Sequence, residues 1–257
     1  MKESIKRTAQ SILKHFNIGV VSYAELQILR EMDANNIDLL NLSKDEISKL
    51  LVVGEHSPAQ LKQDVFALHE LGYKEHGFFV EFGATNGVDL SNTFLLEKKY
   101  NWTGILAEPA KCWHDDLRKN RQCIIDTDCV WAESGATLTF NETPASELST
   151  IDRFSRSDGH ANSRNNGKKY NVNSVSLLDL LDKHQAPRVI DYLSIDTEGS
   201  EYEILSNFDF SKYSFKVISC EHNFSKSRRK IFELLSRNGY KRKFVGLSRW
   251  DDWYVKL

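Results

Sequence analysis

The chain has no apolar run near the ~18 residues a membrane span needs, and it has no excess of positive charge. Of its 257 residues, 34 are Lys or Arg and 36 are Asp or Glu, for a net charge of −2. A dedicated nucleic-acid surface is more basic than that, so Arg228-Arg229-Lys230 and Lys241-Arg242-Lys243 read as solvated faces. Cysteine is scarce too. Cys112, Cys123, Cys129 and Cys220 show no CxxC spacing, which argues against zinc and for buried free thiols in a reducing compartment. Met1-Lys2-Glu3 opens a charged amphipathic stretch rather than the apolar core of a signal peptide, and a cytoplasmic location is the expectation. The most telling absence is a middle glycine. The turn after Phe78-Phe79-Val80-Glu81-Phe82 carries Gly83 and Gly87 but not the full GxGxxG that a pyrophosphate requires.

What is present is a strand, that turn, a helix, and a second strand Gly104–Ala107 ending in Glu108-Pro109. Glu108 stands 21 positions after Gly87, near the ~20 at which a ribose-binding acid is expected. Its carboxylate can accept from both ribose hydroxyls. A nucleoside ligand without phosphates suits this better than a dinucleotide, and S-adenosylmethionine is the one adopted.

Before this unit, residues 1 to about 75 read as helical. Ser22 with Glu25, Ser43 with Glu46, and Ser57-Pro58 with Gln60 each match a capping box. Leu61, Val65, Leu68 and Leu71 share one face of the third helix, which stops at Gly72. The first two helices have little apolar payload, so packing on the main domain or on a second copy of the chain, as a homodimer, is expected. The boundary is set as a helical extension over 1–57 and a main domain over 58–257.

After Phe78 strands and helices alternate: helix Ser91–Lys99, helix Lys111–Asn120, a strand at Gln122–Asp126, then Cys129–Glu133 and Thr137–Asn141 as a hairpin about Ser134-Gly135. Asp152 to Asn171 is polar and reads as a structureless lid. Helix Val175–Lys183, strand Val189–Ile195, helix Glu201–Phe208, strand Phe215–Cys220 and helix Ser227–Asn238 follow. Lys243–Leu247 and Trp253–Leu257 close as an antiparallel hairpin. The pattern predicts a doubly wound α/β fold, a mostly parallel seven-stranded Rossmann-like sheet with a C-terminal antiparallel hairpin.

Ligands of such sheets bind beyond the carboxyl ends of the strands. Those ends carry Glu81 with Gly83, Ala84, Asn86 and Gly87; Glu108; Asp126 and Asp128; Asp196 and Glu198; and Glu221, His222 and Asn223. Asp126 or Asp128 suits an adenine amino group. His222 at a strand tip is the first candidate for a general base, with Asp196 the second. Asp196, Glu221 and His222 also offer a divalent-metal reading, set second because their spacing is irregular. In the lid, Arg153, Arg156, His160, Arg164 and Lys168 are candidates to contact an acceptor, alongside Glu221 and Asn223.

With these residues in place, the chain resembles the FkbM family of S-adenosylmethionine-dependent methyltransferases over roughly residues 60 to 257. The resemblance rests on Gly77-Phe78-Phe79-Val80-Glu81-Phe82-Gly83-Ala84 with Asn86-Gly87, on Asn92-Thr93-Phe94-Leu95-Leu96-Glu97, and on Gly104-Ile105-Leu106-Ala107-Glu108-Pro109. It rests most on Asp191-Tyr192-Leu193-Ser194-Ile195-Asp196-Thr197-Glu198-Gly199-Ser200-Glu201 and Glu221-His222-Asn223. Thr85 stands where many relatives have Asn. The resemblance implies O-methylation of sugars, glycans or secondary metabolites, with Gly83 and Glu108 holding the cofactor and Asp196 through Glu198 lining the site. The expectation is methyl transfer to a sugar or glycan hydroxyl, as in polysaccharide or glycolipid biosynthesis. The alternatives are a nicotinamide-dependent oxidoreductase on the same architecture and a non-catalytic binding module.

Overall fold

In the computed structural model, residues 41–257 are described. The proposed Ser22–Glu25 cap lies outside them. Helix α1 (Lys44–Gly54) starts as expected, with the Ser43 Oγ accepting from the Glu46 N–H and the Glu46 carboxylate accepting from the Ser43 N–H. The Ser57 signal does not start a helix. Ser57 Oγ accepts from the Ala59 N–H and donates 2.5 Å to the buried Asp64, and α2 (Gln63–Glu70) begins six residues later, after Lys62 at φ 65°. A cap-like pattern was here used to tie a turn to the helix it precedes. Leu71 ends that helix, and Gly72 follows at φ 64°.

The main sheet has seven strands. They are β1 (Phe78–Phe82), β2 (Thr103–Ala107), β3 (Ile124–Asp126), β8 (Val189–Ile195), β9 (Ser214–Glu221), β10 (Tyr240–Lys243) and β11 (Asp251–Lys256), in the order β10-β11-β9-β8-β1-β2-β3. The first five run parallel, while β11 is antiparallel to both β9 and β10. The closing hairpin is thus present, three residues earlier on its first strand than the apolar pattern suggested. Helices α3 (Phe94–Tyr100) and α4 (His114–Asn120) connect the first three strands, and α5 (Leu177–Lys183), α6 (Glu201–Ser206) and α7 (Ser227–Arg237) the later ones.

Period-two alternation sends Val80, Phe82, Leu193, Ile195 and Ile218 into one core, with Leu180, Ile204 and Leu235 from the helices. Phe79, Leu106, Tyr192 and Val217 face the other, against Phe66, Leu96 and Leu117. Burial on both faces is what a parallel sheet demands, and it explains the near-continuous apolar runs of β1 and β8.

A second sheet stands beside the first. It holds β4 (Cys129–Trp131), β5 (Thr137–Glu142), β6 (Thr150–Ile151) and β7 (Lys168–Ser176), in the order β4-β7-β5-β6. The expected hairpin between Cys129–Glu133 and Thr137–Asn141 is therefore wrong: β7 lies between them, parallel to β4 and antiparallel to β5. The expected structureless stretch is also shorter than read, because Lys168 to Asn171 belongs to β7 and Asp152–Phe154 is a 3-10 turn. Among the described residues no helix is long and apolar enough to cross a membrane. All four cysteines are free thiols, but only Cys129 and Cys220 are buried as expected; Cys112 is exposed and Cys123 half-buried.

Candidate functional site

Register decides what meets at the carboxyl edge. Phe82 pairs with both Ala107 and Ile195, and Ile195 with Cys220, so Gly83, Glu108, Asp196 and Glu221 emerge side by side. They line a cavity of about 430 Å³. Thr85, Asn92, Pro109, Phe140, Ile151, His160, Glu198, Asn223, Phe224 and Trp250 complete much of its wall.

Gly83 takes φ 74°, and a Cβ there would lie 2.0 Å from the Asp196 carbonyl oxygen. The glycine thus allows β1 and β8 to converge at their tips. Glu81, pointing to the other face from Val80 and Phe82, fastens the following loop. Its carboxylate accepts from the Asn92 N–H at 2.8 Å and from the hydroxyls of Ser91 and Thr93, with Arg121 3.9 Å away. Burial raises its carboxyl despite Arg121 and these donors.

Glu108 is held by two backbone donors, Thr85 N–H and Ala110 N–H, each at 2.8 Å and each on a different oxygen. Burial pushes it up to about 7, against those two bonds. A carboxylate offers about four acceptor positions, so each oxygen keeps one for a ligand.

The Asp196-Thr197-Glu198-Gly199 loop is shaped by Glu201. That carboxylate accepts from the Thr197 N–H at 3.1 Å, the Thr197 hydroxyl at 3.0 Å and the Gly199 N–H at 2.9 Å. Thr150 from the second sheet donates to the Glu198 carbonyl at 3.0 Å. Glu198 is left at φ 59°, a strained conformation for a residue with a Cβ. Its carboxylate meets the Arg164 guanidinium at 2.6 Å and the Asn223 amide at 3.2 Å.

Carboxylate oxygens of Asp196, Glu198 and Glu221 all lie within 4.8 Å of one another, close enough to share protons or to ligate one divalent cation. Burial raises all three. Asp196 is lifted to about 6, restrained by a hydrogen bond with Glu221. Glu221 and Glu198 lie higher still, each pushed further by the Asp196 charge. The cluster therefore keeps protons at neutral pH, with Asp196 the first to ionise.

Several sequence candidates fall elsewhere. Ala84 is core, Asn86 closes its own turn by accepting from the Val88 and Asp89 N–H groups, and Gly87 packs against Leu117 and Arg121. Asp126 is bound by Lys183 at 2.9 Å and His184 at 2.7 Å. Burial opposes its ionisation, but the bonds from Lys183, the Asp128 N–H and His184 prevail and hold its carboxyl low. Asp128 meets Lys183. Neither acid lines the cavity.

Of the basic lid candidates only His160 does. Arg153 covers Trp131, Arg156 is exposed away from the cavity and Lys168 pairs in β7 opposite Glu142. Arg164 is 2% exposed and is spent on Asp158, Glu198 and the Leu148 carbonyl.

His222 is the largest departure. It is buried outside the cavity lining, with Nδ1 accepting from the Phe224 N–H at 2.9 Å and Nε2 donating to the Asp251 carbonyl at 3.1 Å. Burial lowers it to about 4. With its lone pair already occupied, the ring is not free to take a substrate proton.

The sequence profile of the methyltransferase FkbM domain matches residues 81–242, well over half the chain. The chain belongs to the FkbM methyltransferase family. The matched segment runs from Glu81 to Arg242 and so contains every strand tip that builds the cavity. No curated protein matches. Among solved structures, the methyltransferase FkbM of Methylobacillus flagellatus KT is 14% identical over 97% of this chain and 70% of its own, with a TM-score of 0.43. A precorrin-6y C5,15-methyltransferase of Geobacter metallireducens GS-15 is 13% identical over 70% of this chain and 72% of its own, with a TM-score of 0.40.

Sequence reasoning had missed Thr85, Asn92, Phe140, Phe224 and Trp250 in this FkbM cavity. Only Thr85, inside the glycine turn, and Asn92, five residues after it, carried a usable signal. Phe140 arrives through the second sheet, whose pairing the sequence did not reveal.

Proposed function

We propose that this FkbM-family chain is an S-adenosylmethionine-dependent O-methyltransferase acting on a hydroxyl of a sugar or glycan. One observation carries the choice of cofactor. Seven carboxyl side chains line the cavity, Glu81, Asp89, Glu108, Glu147, Asp196, Glu198 and Glu221, and among the described residues no Lys or Arg does. The carboxylates ionised at neutral pH, Asp196 first, attract a sulfonium and an ammonium, and a lining without a cation gives a pyrophosphate no partner, which argues against the nicotinamide alternative.

S-adenosylmethionine, when bound, supplies a methyl group on a sulfonium sulfur. Glu108 would accept from its two ribose hydroxyls, and Asp196 with its neighbours would face its cationic end. For the acceptor, Asp196 takes the base role in place of His222. Lifted to about 6, it is ionised at neutral pH yet basic enough to draw a proton from a positioned hydroxyl. Glu221 holds it by a hydrogen bond.

The test is calorimetric titration with S-adenosylmethionine, S-adenosylhomocysteine and NAD, followed by turnover assays with and without a chelator. Binding of the first two but not NAD is expected. Asp196→Asn should lower turnover by about 10²–10⁴-fold, far more than it weakens S-adenosylhomocysteine binding. NAD binding alone would overturn the cofactor assignment.

A further inference from the structure

We propose that Phe224, Trp250 and Leu90 form an acceptor platform at the cavity mouth that takes the apolar face of a pyranose ring, and that His222 is its positioning residue. This rests on the methyl-transfer reading above and names where the acceptor lies. Phe224 is 70% exposed and Leu90 47% exposed, and both line the cavity, so both stand at its rim. Hydrogen bonds and a bridge join the three into one arc. Leu90 bridges to Ala59, the next residue Gln60 accepts from the Trp250 indole at 3.2 Å, and the Trp250 carbonyl accepts from the N–H groups of His222 and Asn223.

Under two of the three, Leu90 and Phe224, the backbone is held against its own preference. Leu90, Asn223, Phe224 and Arg249 all adopt positive φ, at 61°, 42°, 53° and 52°. A single exposed apolar residue needs no explanation. An arc of two exposed apolar side chains and a half-buried indole, beside a cavity and with Leu90 and Phe224 on backbone that resists the shape, marks a binding surface.

His222 is what fixes Phe224. Its Nδ1 accepts the Phe224 N–H, its Nε2 is tied to Asp251, and its ring meets the Phe224 ring edge-on at 5.4 Å.

The occupant follows from what surrounds the arc. A cavity of about 430 Å³ lies near the lower end of the ~300–1,000 Å³ that holds one small ligand, so a bound nucleoside leaves the acceptor to the mouth. There an apolar ring face adjoins Asn223, which donates to Glu198 of the carboxylate cluster. A pyranose matches both halves, with C–H bonds against the aromatic ring and hydroxyls donating to carboxylate oxygens.

Saturation-transfer NMR with methyl pyranosides of gluco, galacto and manno configuration, on the full chain with and without S-adenosylhomocysteine, tests this. Ring C–H signals should be enhanced in the wild type, weakened about five-fold in Phe224→Ala, and kept in Phe224→Tyr. His222→Ala should resemble Phe224→Ala, with S-adenosylhomocysteine affinity unchanged in each. Equal pyranoside signals in wild type and Phe224→Ala would overturn the platform. So would a mouth that takes catechol or octanol and no pyranoside. Failure of the wild type to bind S-adenosylhomocysteine, with pyranoside signals still dependent on Phe224, would instead defeat the cofactor reading and leave the platform standing.

Discussion

Replacing Gly83 by Ala probes the convergence of β1 and β8 more directly than any catalytic substitution. Two penalties combine. The first is conformational, since a Cβ at φ 74° costs roughly 1–2 kcal/mol. The second is steric. The new carbon falls 2.0 Å from the Asp196 carbonyl oxygen, about 1.4 Å short of ordinary contact at 3.4 Å, and that carbonyl follows directly on the last paired residue of β8, Ile195, which limits how far it can swing away. Overpacking of this kind adds about 1–3 kcal/mol, for a total of about 2–5 kcal/mol. Gly135→Ala is the control, because that residue has φ 81° with nothing within 4 Å of its Cβ and should cost only the first penalty. Urea denaturation of both variants gives the difference directly. The same push moves Asp196 by a sizeable fraction of an ångström, so Gly83→Ala should also lose about 10²-fold in turnover. Stabilities of the two variants agreeing within about 0.5 kcal/mol would refute the argument that the Asp196 carbonyl dictates glycine.

Arg164→Met should destabilise the chain by about 3–5 kcal/mol, because Asp158 and Glu198 lose a buried cation that each contacts within 2.8 Å. Urea denaturation of wild type and variant checks it. The wild-type protein should itself lose stability as pH rises from 6.5 to 8. Burial lifts Asp64, Glu108 and Glu201 to about 7 and Asp251 to about 8, from ordinary values near 4. The fold holds protons that the unfolded chain has released, so each group's contribution falls by up to about 1.4 kcal/mol per pH unit below its folded value and by progressively less above it. In this window Asp251 keeps most of that slope while the other three complete their release. His222, lowered to about 4, opposes this only below its ordinary 6.5. Thermal midpoints across the range that stay level or climb would contradict the assignment. Glu108→Gln should weaken S-adenosylhomocysteine binding about ten-fold or more, as a neutral amide replaces a carboxylate between two ribose donors, and calorimetry reads it.

The strands buried on both faces were legible to the residue: β1 and β8 are continuous apolar runs with few alternative structures open to them. The second sheet was not. β7 reads Lys-Lys-Tyr-Asn-Val-Asn-Ser-Val-Ser, and only Tyr170 and Val172 mark its inward face before Ser174 and Val175 enter the core. A strand this polar is stabilised by its two neighbours, β4 and β5, and that pairing is a long-range fact absent from any local window. Ser57 failed for a related reason. Its hydroxyl found a better partner in Asp64, seven residues on, than in the N–H three residues on.

The strand tips show where local reading stops. Position along a sheet follows from the sequence, so Asp196, Glu198, Glu221 and Asn223 were found as a group, and they do meet in one cavity. Direction does not follow. Asp196 and His222 each sit one residue past a central strand, and sequence offers no reason to separate them. What separates them is β11, which runs antiparallel to β9 and brings the Asp251 carbonyl beside the imidazole. Once Nε2 is committed there, the remaining nitrogen is the acceptor, and the nearest donor is the Phe224 N–H. The imidazole is then a clamp on the turn. Asp196 has no comparable backbone partner, faces the cavity, and is tied to another acid instead. On the proposed reading a proton leaving an acceptor goes to the Asp196 carboxylate rather than to His222, so a pH–rate profile should rise near 6 and keep that shape in His222→Ala.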